Sequence, residues 1–325
     1  MAKYKKMYTL KPITKALYTI ATLPSYCFIP TLSCICLKKN ISLYHLGYVS
    51  CIFELINYFL IFSNICLRFL VFIFFFFFLY YFVGDYAFLG FAIALSSFNS
   101  KNKLMNFKIQ NFLRVLTILC IPIFIYFFIP LSIVLIVLNI YYQTKICFNK
   151  INFHKKNLIK KIFIEKKIIL LVFFHNFIYF LFSLSLPMLL ENKTPFLVSF
   201  LFFINWLIFF IKDLSIFYKT KLMTTITLSL LLNGITIFLL GSTSNFFIVC
   251  ILLLFQGLFA GLSELFFRVP DFIQNKYFFT TIWKIGGILG CISNSLIING
   301  SVEFYIAGIL AISIGIILLI RRPLC

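Results

Sequence analysis

The sequence predicts an all-α polytopic membrane protein of twelve transmembrane helices arranged as two six-helix halves, and three observations carry that reading. Apolar residues make up 62% of the chain and charged residues only 11%, less than half the charged fraction a soluble exterior needs. The apolar residues fall in successive blocks of roughly 20, the length that crosses about 30 Å of hydrocarbon as a helix. The positive charge is one-sided. With a cytoplasmic N-terminus, 25 of the 29 Lys and Arg residues belong to cytoplasmic segments or to the cytoplasmic ends of spans, leaving Lys38, Lys39 and Lys193 outside and Lys284 counted within a span. Basic residues resist translocation, so such asymmetry fixes orientation.

In chain order, residues 1–15 form a basic cytoplasmic N-terminus with five Lys. The N-terminal half, 16–147, reads as spans near 16–37, 41–62, 65–83, 86–104, 109–128 and 129–147. The basic linker, 148–167, lies in a polar stretch (143–167) that holds eight Lys and a single acidic residue, Glu165. It reads as a cytoplasmic anchor between the halves. The C-terminal half, 168–320, reads as spans near 168–190, 195–217, 222–240, 246–266, 279–298 and 304–320, followed by a cytoplasmic tail, 321–325. A rival count fuses 65–98 and 112–142 into two long helices. Each would then reach about 46 Å or more at ~1.5 Å per residue, and Lys101, Lys103, Lys108 and Arg114 would face outward. Gly84-Asp85 and Pro130 supply breaks that favour twelve.

The same features exclude several classes. The net charge of +21 reads as membrane orientation rather than a nucleic-acid footprint. The ten Cys are scattered through apolar segments without CxxC or His partners, so no metal site is expected, and no cofactor. The first apolar stretch lacks a small-residue cleavage site and reads as a retained span. No GxxxxGK[ST] motif supports ATP-driven transport. The abundance of Phe, Lys, Ile and Asn points to an AT-biased genome, with a bacterial inner or plasma membrane as the expected location. The run Phe74–Phe78 is accordingly lipid-facing filler rather than a stacking platform.

A family resemblance appears at particular residues. Leu23-Pro24 through Pro30, Lys39-Asn40-Ile41-Ser42 and Leu46-Gly47-Tyr48-Val49-Ser50 resemble the first two spans of the major facilitator superfamily and the loop between them. Ile211-Lys212-Asp213, then Lys219-Thr220-Lys221, resembles the family's loop between spans eight and nine. There an acidic residue precedes a basic cluster, and Asp213, Lys219 and Lys221 would form that cytoplasmic loop motif. Gln256-Gly257 to Gly261, and Thr281-Ile282 to Gly286-Gly287 and Gly290, resemble spans ten and eleven. Small residues at this spacing let helix backbones approach closely. The chain departs from the family between spans two and three, where Ser63 to Arg68 keeps only Arg68 of the expected basic set. The resemblance implies a reduced or divergent transporter working by alternating access.

Ionisable groups inside spans are costly and therefore mark candidate sites. Glu54, with Asn57 one turn on, reads as a proton site or an interhelical hydrogen-bonding group without a visible partner. His175 and Asn176 in the seventh span read as a relay or ligand, or as satisfied helix contacts. Glu264 and Lys284, near the cytoplasmic ends of the tenth and eleventh spans, read first as a structural ion pair and second as a gate. Gln256, Asn205, Asn233 and Asn294 could bind solute or join helices, and Glu303 is placed outside the spans as an isolated acid. In the family, spans two, seven, ten and eleven line the central cavity, so Glu54, His175, Asn176, Gln256, Glu264 and Lys284 could meet there.

The function expected is secondary active transport of a small solute, driven by protons or working by uniport or exchange, by a chain that acts as a monomer in the bilayer. The alternatives are a non-transporting or degenerate membrane subunit and a membrane-embedded transferase. The transferase needs paired acidic groups in a sizeable loop, which the sequence does not supply.

Overall fold

The computed structural model describes residues 28–62, 118–119, 121–123, 166–189, 194–209, 222–268, 276–297 and 300–320. Among these residues every regular element is helical. The helices are α1 (Phe28–Lys38), α2 (His45–Phe62), α3 (Lys166–Ser185), α4 (Pro195–Phe209), α5 (Leu222–Gly241), α6 (Phe246–Ser263), α7 (Lys276–Leu296) and α8 (Gly300–Ile320). Short 3-10 turns extend α3 over Leu186–Met188 and α6 over Glu264–Arg268. The sequence-predicted spans near 65–83, 86–104 and 129–147, the N-terminus 1–15, most of the linker, the loop motif Asp213, Lys219 and Lys221, and the tail 321–325 lie outside the described residues.

Four segments are long and apolar enough to cross a membrane: Ile168–Met188, Leu222–Gly241, Phe246–Phe266 and Ser301–Ile320. They coincide with four predicted spans and suggest a membrane protein. Pro195–Leu207 is apolar but shorter. Helix α7 is long enough, but its polar face carries Lys284, Asn294 and a glycine stripe.

Helix ends are built from local side chains, because a backbone group left unpaired in hydrocarbon costs several kcal/mol. Asn245 caps α6, its Oδ1 accepting from the backbone N–H groups of Phe247 at 3.0 Å and Ile248 at 3.3 Å. Thr194 caps α4, with Pro195 as its first helical residue. Helix α1 stops where Asn40 turns left-handed at φ 55°, and the Ile41 N–H reaches back to Cys36 O at 2.8 Å. This closure is a Schellman motif, with Asn in the place glycine usually takes. Within the helices, Ser33, Thr227 and Thr236 turn their hydroxyls onto carbonyls one turn back.

The neighbours of each helix form a closed circuit: α1 packs on α4, α4 on α6, α6 on α5, α5 on α8, α8 on α3, α3 on α7, α7 on α2, and α2 on α1. Glycines make several of these seams. On α7, a Cβ at Gly286 would strike the Phe173 carbonyl and one at Gly290 would lie 2.6 Å from Phe177 O, so α7 runs parallel to α3 with backbones nearly touching. Gly257 of α6 lies against the Asn205 carbonyl of α4, and those two helices are also parallel. Helices α5 and α8 run antiparallel through Gly234, which faces Ala311 and Gly308, and through Gly315, which faces Leu231. Helix α2 is antiparallel to α7, since Gly47 lies beside Ser295 and Glu54 beside Lys284. Close approach at Gly257, Gly286 and Gly290 follows the expected small-residue spacing. The α5–α8 seam has no equally compact sequence signature.

Helix α3 is the most enclosed: 67% of its spanning window is buried, against 44% for each of the other three segments. A helix apolar all round has no face that requires water, so packing alone decides how far inside it sits. The parallel and antiparallel contacts put the C-terminal ends of α1, α3, α5 and α7 at one face, with the N-terminal ends of α2, α4, α6 and α8. Lys38 and Lys39 belong to that face, while Lys166, Lys167, Arg268 and Lys276 belong to helix ends at the opposite one.

Candidate functional site

Two groups of the polar side chains buried in the apolar helices lie around α3 and α7. Glu54, halfway along α2, is 8% exposed and receives a hydrogen bond from Lys284 Nζ to its Oε2 at 2.7 Å. This ion pair corrects the expected pairing of Lys284 with Glu264. Helix α7 begins at Lys276, earlier than the predicted span, so Lys284 lies about 12 Å in from that end at ~1.5 Å per residue. Glu264 instead opens the 3-10 turn that ends α6, at the helix terminus. The partner that sequence could not show for Glu54 comes from a helix 230 residues away in the chain. The Lys284 ammonium also lies 5.9 Å from the centroid of the Trp283 ring.

On α3, His175 Nε2 and Ser263 Oγ share a hydrogen bond of 3.0 Å, and the imidazole meets Phe266 edge-on with centroids 5.1 Å apart. Asn176 donates to the Trp283 carbonyl at 2.7 Å, and its amide fills the space beside Gly287. These are pairwise contacts: Glu54–Lys284 joins α2 to α7, His175–Ser263 joins α3 to α6, and Asn176 joins α3 to α7. Gln256 sits apart from them, accepting a hydrogen bond from Asn205 Nδ2 across the α4–α6 seam. Asn205 Nδ2 also reaches Leu253 O at 3.3 Å.

A second cluster occupies the other end of α7. Asn294 Nδ2 donates to Glu303 Oε2 at 2.9 Å and lies 3.0 Å from Ser185 Oγ, and Ser185 Oγ also hydrogen-bonds Glu303 Oε2. Glu303 is fully buried and Asn294 is 2% exposed. Hydropathy places Glu303 outside the spans; the structure corrects that. Helix α8 begins at Gly300, which draws Glu303 into its first turn and under α3 and α7. The signal in the sequence is slight: an acidic residue beside an apolar run, with an Asn nine positions earlier. Asn233 is buried in α5, away from both clusters, and its Oδ1 has no hydrogen-bond partner.

Among the described residues no group of three or more His, Cys, Asp or Glu side chains comes together as a metal-binding set. Cys34 forms a hydrogen bond of 3.2 Å with Ser199 Oγ across α1 and α4, a packing contact rather than a redox site. No protein-family model matches the chain, and no curated protein matches it.

Proposed function

We propose that the chain is a secondary transporter that carries a small solute across a membrane by alternating access. Its plan would be that of a reduced member of the major facilitator superfamily, twelve spans in two halves, working as a monomer without catalytic chemistry. The observation that carries this reading is the Glu54–Lys284 ion pair, partly buried mid-helix at 2.7 Å between α2 and α7. Charges placed within apolar helices are expensive and concentrate along solute and ion pathways. A pair between a helix of the first half and one of the second is suited to breaking and reforming as the halves rock. Gly47, where α2 meets α7, lets the two helices approach closely at that contact.

The test is uptake of a panel of labelled solutes (sugars, amino acids, organic anions and organic cations) in a transporter-deficient host. Wild type is compared with Glu54→Gln and Lys284→Ala. Flux of at least one solute that falls in both variants supports the reading; an absence of flux with wild type and both variants counts against it. A non-transporting membrane subunit is the second reading. It is favoured by the way Asn205 and Gln256 spend polar atoms on each other rather than on an open surface.

A further inference from the structure

The cluster at the outer end of α8 is separate from the Glu54–Lys284 pair and is built differently. Glu54 has a cation, and Glu303 has none: among the described residues no Lys, Arg or His forms an ion pair with it. Its Oε2 accepts from Asn294 Nδ2 and from Ser185 Oγ, while its Oε1 is buried without a hydrogen-bond partner, as is Asn294 Oδ1. An ionised carboxylate in that position would keep one oxygen bare in an apolar surround. Buried groups escape such a cost by taking up a neutralising charge. Donor hydrogens already point at Oε2 from two sides, and they would repel a metal cation there. Oε1 is the carboxyl oxygen left to carry a proton.

Opposing effects keep the proton exchangeable. The first turn of α8 presents the positive end of its helix dipole to Glu303, and the two donors on Oε2 favour the anion. Burial between α3, α5 and α7 favours the acid. Ser301 and Val302 beside Glu303 are exposed, as is Leu296 at the end of α7. The titratable groups on the packed helices are few; α2, whose Gly47 lies beside Asn294, brings His45 and Tyr48 to this end, both exposed. Helix α3 carries Tyr179 about two turns below Ser185, and α7 carries Cys291 about one turn below Asn294, with Lys284 further in. Helix α5 carries none over residues 235–241, and α8 carries Tyr305, whose ring meets Phe238 edge-on at 5.0 Å.

From this geometry we infer that Glu303, held by Ser185 and Asn294, is a proton-carrying site at the outer end of the bundle. An O–H bond forms at Oε1 with a proton given up by hydronium at the exposed end, whose own O–H bond breaks, as the α3–α7–α8 contact seals. It breaks when the helix ends part, and the proton passes to water at the exposed end. That this proton couples to solute movement rests on the transport reading above; that Glu303 carries it does not.

The test is infrared difference spectroscopy of the full chain in liposomes of phosphatidylethanolamine and phosphatidylglycerol at neutral pH. A protonated-carboxyl C=O band is expected. It should be lost in Glu303→Gln, displaced but retained in Glu303→Asp, and kept in the Glu54→Leu/Lys284→Met double variant. Transfer to D2O should shift the band, since an exchangeable site takes up deuterium. No such band at neutral pH in wild type overturns the proposal, as does a band that survives Glu303→Gln. A band that disappears when sodium replaces potassium would make the site a metal-cation site, and one that never shifts in D2O would make it a sealed structural proton; either result overturns it too. Because the wild-type band is read without any variant, the test does not depend on Glu303→Gln folding, and none of it depends on finding a transported solute.

Discussion

Removing one member of the Glu54–Lys284 pair should destabilise the protein far more than removing both. With Nζ and Oε2 2.7 Å apart, the Coulomb attraction is about 6 kcal/mol at an effective dielectric of ~20. Desolvation of both groups offsets most of that gain, so the net worth of the intact pair is small. Deleting a single partner leaves a buried charge uncompensated, which costs about 3–5 kcal/mol, whereas replacing both by apolar groups of similar volume is often neutral or stabilising. Glu54→Leu and Lys284→Met are therefore each expected to lose about 4 kcal/mol, and the double variant to lie within about 1 kcal/mol of wild type. The assay is a double-mutant cycle by reversible unfolding in mixed lipid–detergent micelles, with Trp206 and Trp283 as fluorescent reporters. A double variant whose loss equals the sum of the singles would refute the pairing, because independent groups add.

Three further outcomes test other parts of the structure. Gly257→Ala and Gly286→Ala place a Cβ against a backbone carbonyl of the neighbouring helix, so each should cost about 1–3 kcal/mol in the same unfolding assay, whereas alanine in an open helix position would stabilise. Ser263→Ala removes the hydroxyl from His175 and should cost about 0.6 kcal/mol, the usual size of an interhelical hydrogen bond in a membrane protein; a loss above ~2 kcal/mol would show a larger role. Reporter fusions at Ser42 and Thr243, both in turns at the face that carries Lys38 and Lys39, should report the same side of the membrane, and a fusion after Ile320 the other. Opposite sides for Ser42 and Thr243 would break the helix alternation described above.

Much of the helical plan was legible before any tertiary contact was known. The segments 168–190, 222–240 and 246–266 each required about 20 residues of hydrocarbon, and helices appear there because an apolar backbone in lipid must satisfy its own hydrogen bonds. Boundaries were less legible at α7 and α8, where the first turn is polar and hydropathy starts the span late. Those few residues changed the chemistry: they moved Lys284 inward by a turn and brought Glu303 under cover. Small-residue spacing announced the close approach at Gly257, Gly286 and Gly290, since removing a Cβ is a local property. It did not name the facing helix, because which backbone fills the gap depends on the circuit of packing.

The sequence alone determined that this chain is apolar and helical, because burial in hydrocarbon acts on residue types one segment at a time. It also determined which ionisable groups would be costly. Only the tertiary structure decided how those costs are met. It gave Lys284 to Glu54 rather than Glu264, tied His175 to Ser263, and left Glu303 with an amide and a hydroxyl but, among the described residues, no cation. A charge in an apolar helix states a need that any neighbour of suitable chemistry could meet. The neighbour that does meet it is fixed by helix direction, register and the depth at which two helices touch.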